Sequence, residues 1–256
     1  MTIDIQALIE QRSHLKYPLE LYAKWQRFYR EAGELLPKAG TTISPEDAKA
    51  YPQKNAGAVF RLFVSIFDLS GEDFEPLCRA LEAGEIDFMR FPLDEFPAFS
   101  SLACSEDELT SILFLFSRPY FMALREAYPL DGSQWENGRC PLCSARAALS
   151  SIVEGPLRRL HCSFCGTSGP YRFIGCPNCE TVDATQLNTI MSEDEPGFRI
   201  ATCDECRTYI KVVESPVLKE MTLDLADMVS LPLDIVAQEK GYLRPAPNPI
   251  SLKKMV

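Results

Sequence analysis

Eight of the ten cysteines in this 256-residue chain fall into four Cys-x-x-Cys pairs: Cys140/Cys143, Cys162/Cys165, Cys176/Cys179 and Cys203/Cys206. Two residues between thiolates let both sulfurs of one tight turn face a single ion, and two such turns complete a tetrahedral site. Eight thiolates therefore provide for two metal ions. One pair alone would also suit thioredoxin-like redox chemistry, but four in series with hairpin-sized gaps point to metal. An ion saturated by four thiolates keeps no open coordination position, which excludes Lewis-acid hydrolysis there. Nor do the other residues suggest catalysis. Only His14 and His161 could serve as imidazole bases, and His161 beside Cys162 reads as a strand residue. Glu193-Asp194-Glu195 reads as a solvated turn, and the chain carries no glycine-rich phosphate loop. The sequence predicts a protein that is not an enzyme.

The elements that must position these cysteines repeat once. In the first copy the Cys140/Cys143 turn leads to a strand over Leu149 to Val153, a turn, a return strand over Leu157 to His161, the Cys162/Cys165 turn and a strand over Tyr171 to Ile174. In the second copy the Cys176/Cys179 turn leads to strands over Gln186 to Met191 and Phe198 to Thr202, then to the Cys203/Cys206 turn and a strand over Thr208 to Val213. Between paired turns lie 18 or 23 residues, enough for a hairpin, whereas only ten lie between the copies. This spacing assigns Cys140, Cys143, Cys162 and Cys165 to one ion and Cys176, Cys179, Cys203 and Cys206 to the other. A cross-braced alternative, with the first and third turns sharing an ion, stays open at this level. Spacing does not choose between zinc and iron either.

Before Cys140 the pattern is helical. Leu15, Leu19, Tyr22, Trp25, Tyr29, Ala32 and Leu36 recur at steps of three or four, as on one face of a helix. Ser44-Pro45-Glu46 reads as a helix start, and Ser70 with Asp73 and Ser105 with Glu108 read as capping boxes. Ala58 to Phe67 is apolar on nearly every side and predicts a helix in mid-bundle. Pro119 is expected to kink or divide the helix that starts near Ser105, and Gly84 to close the one after Ser70. Cys78 and Cys104 lie outside ligand spacing and read as packing residues. After the cysteines helix returns, broken at Pro232 and ended at Gly241. The predicted fold class is α+β: a helical N-terminal domain over residues 1–135, two tandem rubredoxin-like, zinc-ribbon-like four-cysteine modules over 136–175 and 176–214, and C-terminal helices with a tail over 215–256.

Charge bears on partners. The chain carries 26 basic against 36 acidic residues, and residues 139 to 213 hold eight of each. Four thiolates around a divalent ion add about two negative charges per site, so a polyanion such as nucleic acid is disfavoured. The N-terminal residues lack a basic and apolar export signal, and Ile112 to Phe116 is far too short to span a bilayer, so no membrane insertion is expected. A reducing cytoplasmic location suits cysteines that bind metal.

Several of these residues carry a family resemblance. The four turns in order, Leu160-His161-Cys162 leading into Cys165, Cys176-Pro177-Asn178-Cys179-Glu180, Thr208-Tyr209-Ile210-Lys211, Leu225-Ala226-Asp227 and Gln238-Glu239-Lys240-Gly241-Tyr242 resemble the FdhE family. The likeness covers roughly residues 139 to 249. It implies a cytoplasmic accessory protein, a chaperone of maturation, that binds the catalytic subunit of formate dehydrogenase and is needed for its activity. It also implies rubredoxin-like sites that can hold iron, with the eight paired cysteines as ligands. Rubredoxin turns favour glycine right after the second cysteine. Here only Gly166 fits, while Ser144, Glu180 and Arg207 fill the other three places, which leaves room for zinc. The competing readings are a rubredoxin-like electron carrier and, less favoured by the charge balance, a nucleic-acid-binding ribbon protein.

Overall fold

The computed structural model describes residues 3–36, 53, 55–90, 106–128, 130, 132, 135–147, 149–153, 157–162 and 164–246. The chain divides into two compact units, one of Leu21–Pro129 and one of Met1–Glu20 with Leu130–Val256.

In the first of these units the helices among the described residues are α2 (Lys16–Leu35, whose first turn belongs to the other unit), α3 (Ala56–Ile66), α4 (Gly71–Ala83) and α5 (Glu106–Ala127). The stripe on α2 is the buried one: Tyr22, Trp25 and Ala32 are buried, and Phe28 joins them. Aromatic rings fill the space between helices, with Phe28 against Phe63 at 5.2 Å, Phe60 against Phe116 at 5.1 Å and Phe88 against Tyr120 at 4.8 Å. α3 is buried on most of its faces, as its composition predicts. Ser70 caps α4 by accepting from the Asp73 amide, and Gly84 ends it at φ 71°, a left-handed turn that glycine takes without strain. Cys78 is buried in α4. Of the kink or division expected at Pro119, the division does not occur: α5 runs unbroken through it. Proline removes one amide donor and crowds one carbonyl, but Leu113, Phe116, Tyr120 and Leu124 are buried on both sides of it, and this packing keeps the helix continuous. Ser44-Pro45-Glu46, Ser105 and Cys104 lie outside the described residues.

The other unit is built on a six-stranded sheet of β1 (Leu149–Val153), β2 (Leu157–His161), β3 (Ser168–Tyr171), β4 (Leu187–Met191), β5 (Phe198–Cys203) and β6 (Thr208–Glu214). Its order is β3-β2-β1-β6-β5-β4. Each copy of the repeat contributes an antiparallel trio. The trios meet at a parallel pair, β1 with β6, in register Leu149 to Lys211 and Ser151 to Val213. The two ribbons are therefore halves of one sheet, which explains why β6, central with a neighbour on each side, is buried along nearly its whole length. The expected third strand at Tyr171 to Ile174 is displaced to Ser168–Tyr171, because the chain pairs with β2 as soon as it leaves the cysteine turn, Ser168 opposite His161.

Three C-terminal helices follow, α6 (Ser215–Glu220), α7 (Leu223–Val229) and α8 (Leu231–Glu239). The break before Pro232 and the end at Gly241, with φ 78°, match the sequence reading; α6 is an addition to it. A buried charge cluster fastens these helices to β6. Lys211 pairs with Asp227 at 2.6 Å and Asp234 at 2.7 Å, and Arg244 pairs with the same two carboxylates at 2.6 and 3.0 Å. At the start of the chain, α1 (Ile5–Gln11) is capped by Asp4. Arg12 then donates to Glu195 at 2.8 Å and to the Val229 carbonyl at 3.0 Å. Glu195 is buried, so the acidic turn is not the fully solvated loop that its composition suggests; only Glu193 and Asp194 are exposed. The guanidinium offsets the cost of burying that carboxylate. No described helix is long and apolar enough to cross a membrane.

Candidate metal centres

Each Cys-x-x-Cys pair sits in a turn of the same construction. The amide of the residue after the second cysteine reaches back to the carbonyl of the first: Ser144 to Cys140 at 2.8 Å, Gly166 to Cys162 at 3.0 Å and Glu180 to Cys176 at 3.0 Å. The residue after the second cysteine then turns the chain away through a left-handed backbone. All four such residues adopt one, with φ of 58° at Ser144, 79° at Gly166, 66° at Glu180 and 54° at Arg207. The rubredoxin-type turn thus forms at all four places, although three of them lack glycine. The turn geometry overrides the residue preference at a cost of about 1 kcal/mol for a non-glycine residue.

The turns meet two by two at the ends of the hairpins. Cys140, Cys143, Cys162 and Cys165 form one group and Cys176, Cys179, Cys203 and Cys206 the other, the sulfurs of each group lying within 4.8 Å of one another. In the first, Cys140 and Cys165 are 3.5 Å apart, as are Cys143 and Cys162. In the second the corresponding separations are 3.6 and 3.7 Å. A tetrahedron with metal–sulfur bonds of about 2.3 Å has edges of about 3.8 Å, so both groups are close to the size of a four-thiolate site. The groups follow chain order, and the first and third turns share no group. His161 stands outside them, its Nε2 bonded to Ser151 Oγ at 2.7 Å.

Each group also has a hydroxyl that sequence reading passed over. Thr167 Oγ1 lies 3.1 Å from Cys165 Sγ, and Thr208 Oγ1 lies 3.0 Å from Cys206 Sγ. Both threonines stand two residues after the last cysteine of their copy, a signal visible in the repeat itself. Backbone amides add to this, Cys165 N to Cys162 Sγ at 3.4 Å and Asn178 N to Cys176 Sγ at 3.3 Å. Amide donors of this kind favour thiolate over thiol.

Taken as thiols, six of these cysteines are shifted by their surroundings. Burial pushes Cys143 and Cys162 well up, and Cys179 and Cys203 up as well. Contacts from Cys140, Cys143 and Cys162 bring Cys165 well down. Against the upward push of burial, hydrogen bonds from Thr208, Asn178 and neighbouring cysteines bring Cys206 to about 7. Cys165 and Cys206 are thus the shifted sulfurs favoured as thiolates, and a divalent cation would favour the thiolate form of all the sulfurs that bound it. The groups differ in exposure. All four cysteines of the first are buried, whereas Cys179 and Cys206 of the second are half-buried.

The copies also touch at their turns. Gly138, at φ 64°, runs so close to the third turn that a Cβ there would lie 1.8 Å from the Pro177 carbonyl oxygen. Arg146 donates to the Asn178 carbonyl at 3.3 Å, and Tyr171 OH to the Cys176 carbonyl at 3.2 Å. The fourth turn is held from the C-terminal side, where Tyr242 OH donates to Asp204 at 2.6 Å and Arg207 lies over the Tyr242 ring at 4.2 Å.

Known proteins resemble this chain in sequence and in fold. Residues 174–251 match the family described as FdhE, C-terminal domain. An FdhE homologue from Aquifex aeolicus is 28% identical over 170 residues, covering 65% of this chain and 58% of the relative. One from Shewanella oneidensis is 34% identical over 118 residues, covering 44% of this chain and 38% of the relative. The crystal structure of the FdhE protein from Pseudomonas aeruginosa shares the fold, with a TM-score of 0.59 at 19% identity over 91% of this chain and 88% of that one. The matches thus span 58% and 38% of the lengths of these two curated relatives.

Proposed function

From the resemblance to the FdhE family, which the comparisons bear out in sequence and in fold, we propose that this chain is an accessory maturation factor. In this reading it binds the catalytic subunit of formate dehydrogenase in the cytoplasm, is needed for that enzyme's activity and is not itself an enzyme. The observation that carries the reading is the pair of four-cysteine groups, built on one sheet whose second half lies within the residues that match the FdhE C-terminal domain. Cys140, Cys143, Cys162 and Cys165 would hold one ion and Cys176, Cys179, Cys203 and Cys206 the other. An all-thiolate donor set suits iron or zinc, and the resemblance favours iron. The ions bring folding free energy and, if iron, a one-electron couple.

The half-burial of Cys179 and Cys206 favours a second reading, a rubredoxin-like electron carrier, because exposure near a sulfur eases electron exchange. Under that reading the protein would show a reversible visible spectrum yet retain no client. The deciding experiment uses cells that lack their own factor. With the full chain supplied, formate dehydrogenase activity should return and the catalytic subunit should co-purify. Electron transfer without either outcome would reject the maturation reading.

A further inference from the structure

Beside the second cysteine group, one face of the sheet opens into a cleft of about 320 Å³. This is at the lower end of the size range of small-ligand sites. Ile152, Leu187, Ile210 and Val212, from three strands, form its apolar floor, and Phe173 and Ile174 stand half exposed at its rim. No carboxylate among the described residues lines it, in a chain whose formal net charge is −10. Two arginines do.

Arg158, on β2, is only 7% exposed. Its Nη1 donates to the Gly175 carbonyl at 2.9 Å, but its Nη2 is buried with no partner, and no described carboxylate pairs with it. Arg199, on β5, is half-buried, and its guanidinium makes no hydrogen bond or ion pair among the described residues. Buried polar groups in folded proteins are nearly always satisfied, and a cation in an apolar recess costs free energy unless an anion meets it. The second group's thiolates lie at the cleft wall through Cys176 and Cys203, yet neither guanidinium hydrogen-bonds a sulfur. Charge balance with that group therefore leaves Arg158 Nη2 and the Arg199 guanidinium without a hydrogen-bond acceptor among the described residues.

We propose that this cleft binds a carboxylate carried on a compact apolar body. Arg199 is the accessible anchor and Arg158 the buried second cation, while the floor residues take the apolar part. The maturation reading is not required, since binding is measured on purified protein and a chain that matures no enzyme can still pass.

The test titrates four probes into the metal-loaded full chain by calorimetry and amide NMR: octanoate, octanamide, acetyl-Leu-Glu-Leu-amide and acetyl-Leu-Gln-Leu-amide. At least one acidic probe should bind about tenfold or more tightly than its neutral partner, as expected for charge-assisted hydrogen bonds in a recess. The tighter of the two acids identifies the source, a free organic acid or an acidic residue in a peptide. Arg199→Met should abolish the preference for acid over amide, and Thr189→Trp, at the exposed edge of the cleft, should abolish binding. Neither change touches a cysteine, and metal content with circular dichroism establishes that the fold is kept. Equal binding of acid and amide, undiminished preference in Arg199→Met, or no binding by any probe would overturn the proposal and leave the arginines as counter-charges to the second group.

Discussion

Replacing Arg244 by methionine tests the physical account of the C-terminal fastening. Arg244 is buried, with ion pairs to Asp227 at 2.6 Å and to Asp234 at 3.0 Å and a further hydrogen bond to the Ala246 carbonyl at 3.0 Å. Lys211 supplies the other cation, so two cations face two carboxylates out of water. Methionine keeps most of the apolar stem but leaves the cluster with one excess negative charge. Breaking a buried pair from one side costs about 3–5 kcal/mol, a large share of the roughly 5–15 kcal/mol that stabilises a domain. Urea unfolding of the metal-loaded chain, followed by circular dichroism, should show that loss. Adding Asp227→Leu to Arg244→Met should recover at least about half of it by restoring neutrality. A loss under about 1 kcal/mol for Arg244→Met, or no recovery in the double variant, would refute the claim that the cluster is desolvated and charge-balanced. Acid gives an independent reading. Burial alone would raise the Asp227 pKa, but Arg244 and Lys211 outweigh it and hold the carboxyl well below its usual range. A depressed carboxylate binds fewer protons folded than unfolded, so its stabilisation is full above the ordinary carboxylate value near 3.8 and is lost as pH falls below it. In Arg244→Met that acid-dependent loss should become shallower.

The other expected outcomes concern the cysteine turns. Elemental analysis and X-ray absorption on anaerobically purified protein should find two ions per chain, each with four sulfurs at about 2.3 Å; nitrogen or oxygen ligands in either site would contradict the donor sets. Cys162→Ser should abolish formate dehydrogenase maturation at equal protein abundance while Cys78→Ser, in the α4 core, stays nearly silent; full maturation by Cys162→Ser with its site shown empty would make the first ion dispensable. Gly138→Ala should destabilise the chain, because its Cβ would meet the Pro177 carbonyl oxygen at 1.8 Å at a position with φ 64°; an unchanged denaturation midpoint would mean that the two copies do not abut there. Glu180→Gly should gain up to about 1 kcal/mol from its left-handed turn, read as a higher midpoint with metal content unchanged.

Much of this was legible from spacing. Ligand turns follow a local rule, two residues between sulfurs, and hairpin-length gaps then determine which turns meet, so the grouping of Cys140 with Cys162 and of Cys176 with Cys203 could be read without the fold. Strand positions followed from the same repeat, apart from β3, whose start is set by pairing with β2. What spacing could not show is long-range. The parallel junction of β1 with β6 joins Leu149 to Lys211 across the whole double repeat, and nothing in either local sequence announces a partner. Glu195 looked solvated because its partner Arg12 lies 183 residues away. Pro119 carries a local signal for a break, and the tertiary packing of α5 overrides it.

The non-cysteine residues that carried the family resemblance acquire a physical meaning in the structure. Tyr209, Lys211 and Asp227 belong to the buried charge cluster, with Tyr209 OH donating to Asp234 at 2.5 Å. Lys240 and Tyr242 clasp the fourth cysteine turn, Lys240 through its carbonyl to Arg207 at 2.8 Å and Tyr242 through Asp204. The signature thus marks how β6, the strand that follows the last cysteine turn, is locked to the C-terminal helices. That strand is also the one that pairs with the first copy. Loss of the C-terminal fastening should therefore be felt at both cysteine groups, and Arg244→Met should weaken metal retention by Cys140, Cys143, Cys162 and Cys165 even though Arg244 pairs with none of them. Metal release from the two groups, followed separately with a colorimetric chelator in Cys206→Ser and Cys165→Ser backgrounds, measures this directly. Faster release from both would establish a single cooperative body, whereas faster release from the second group alone would show that the β1–β6 junction does not transmit the damage.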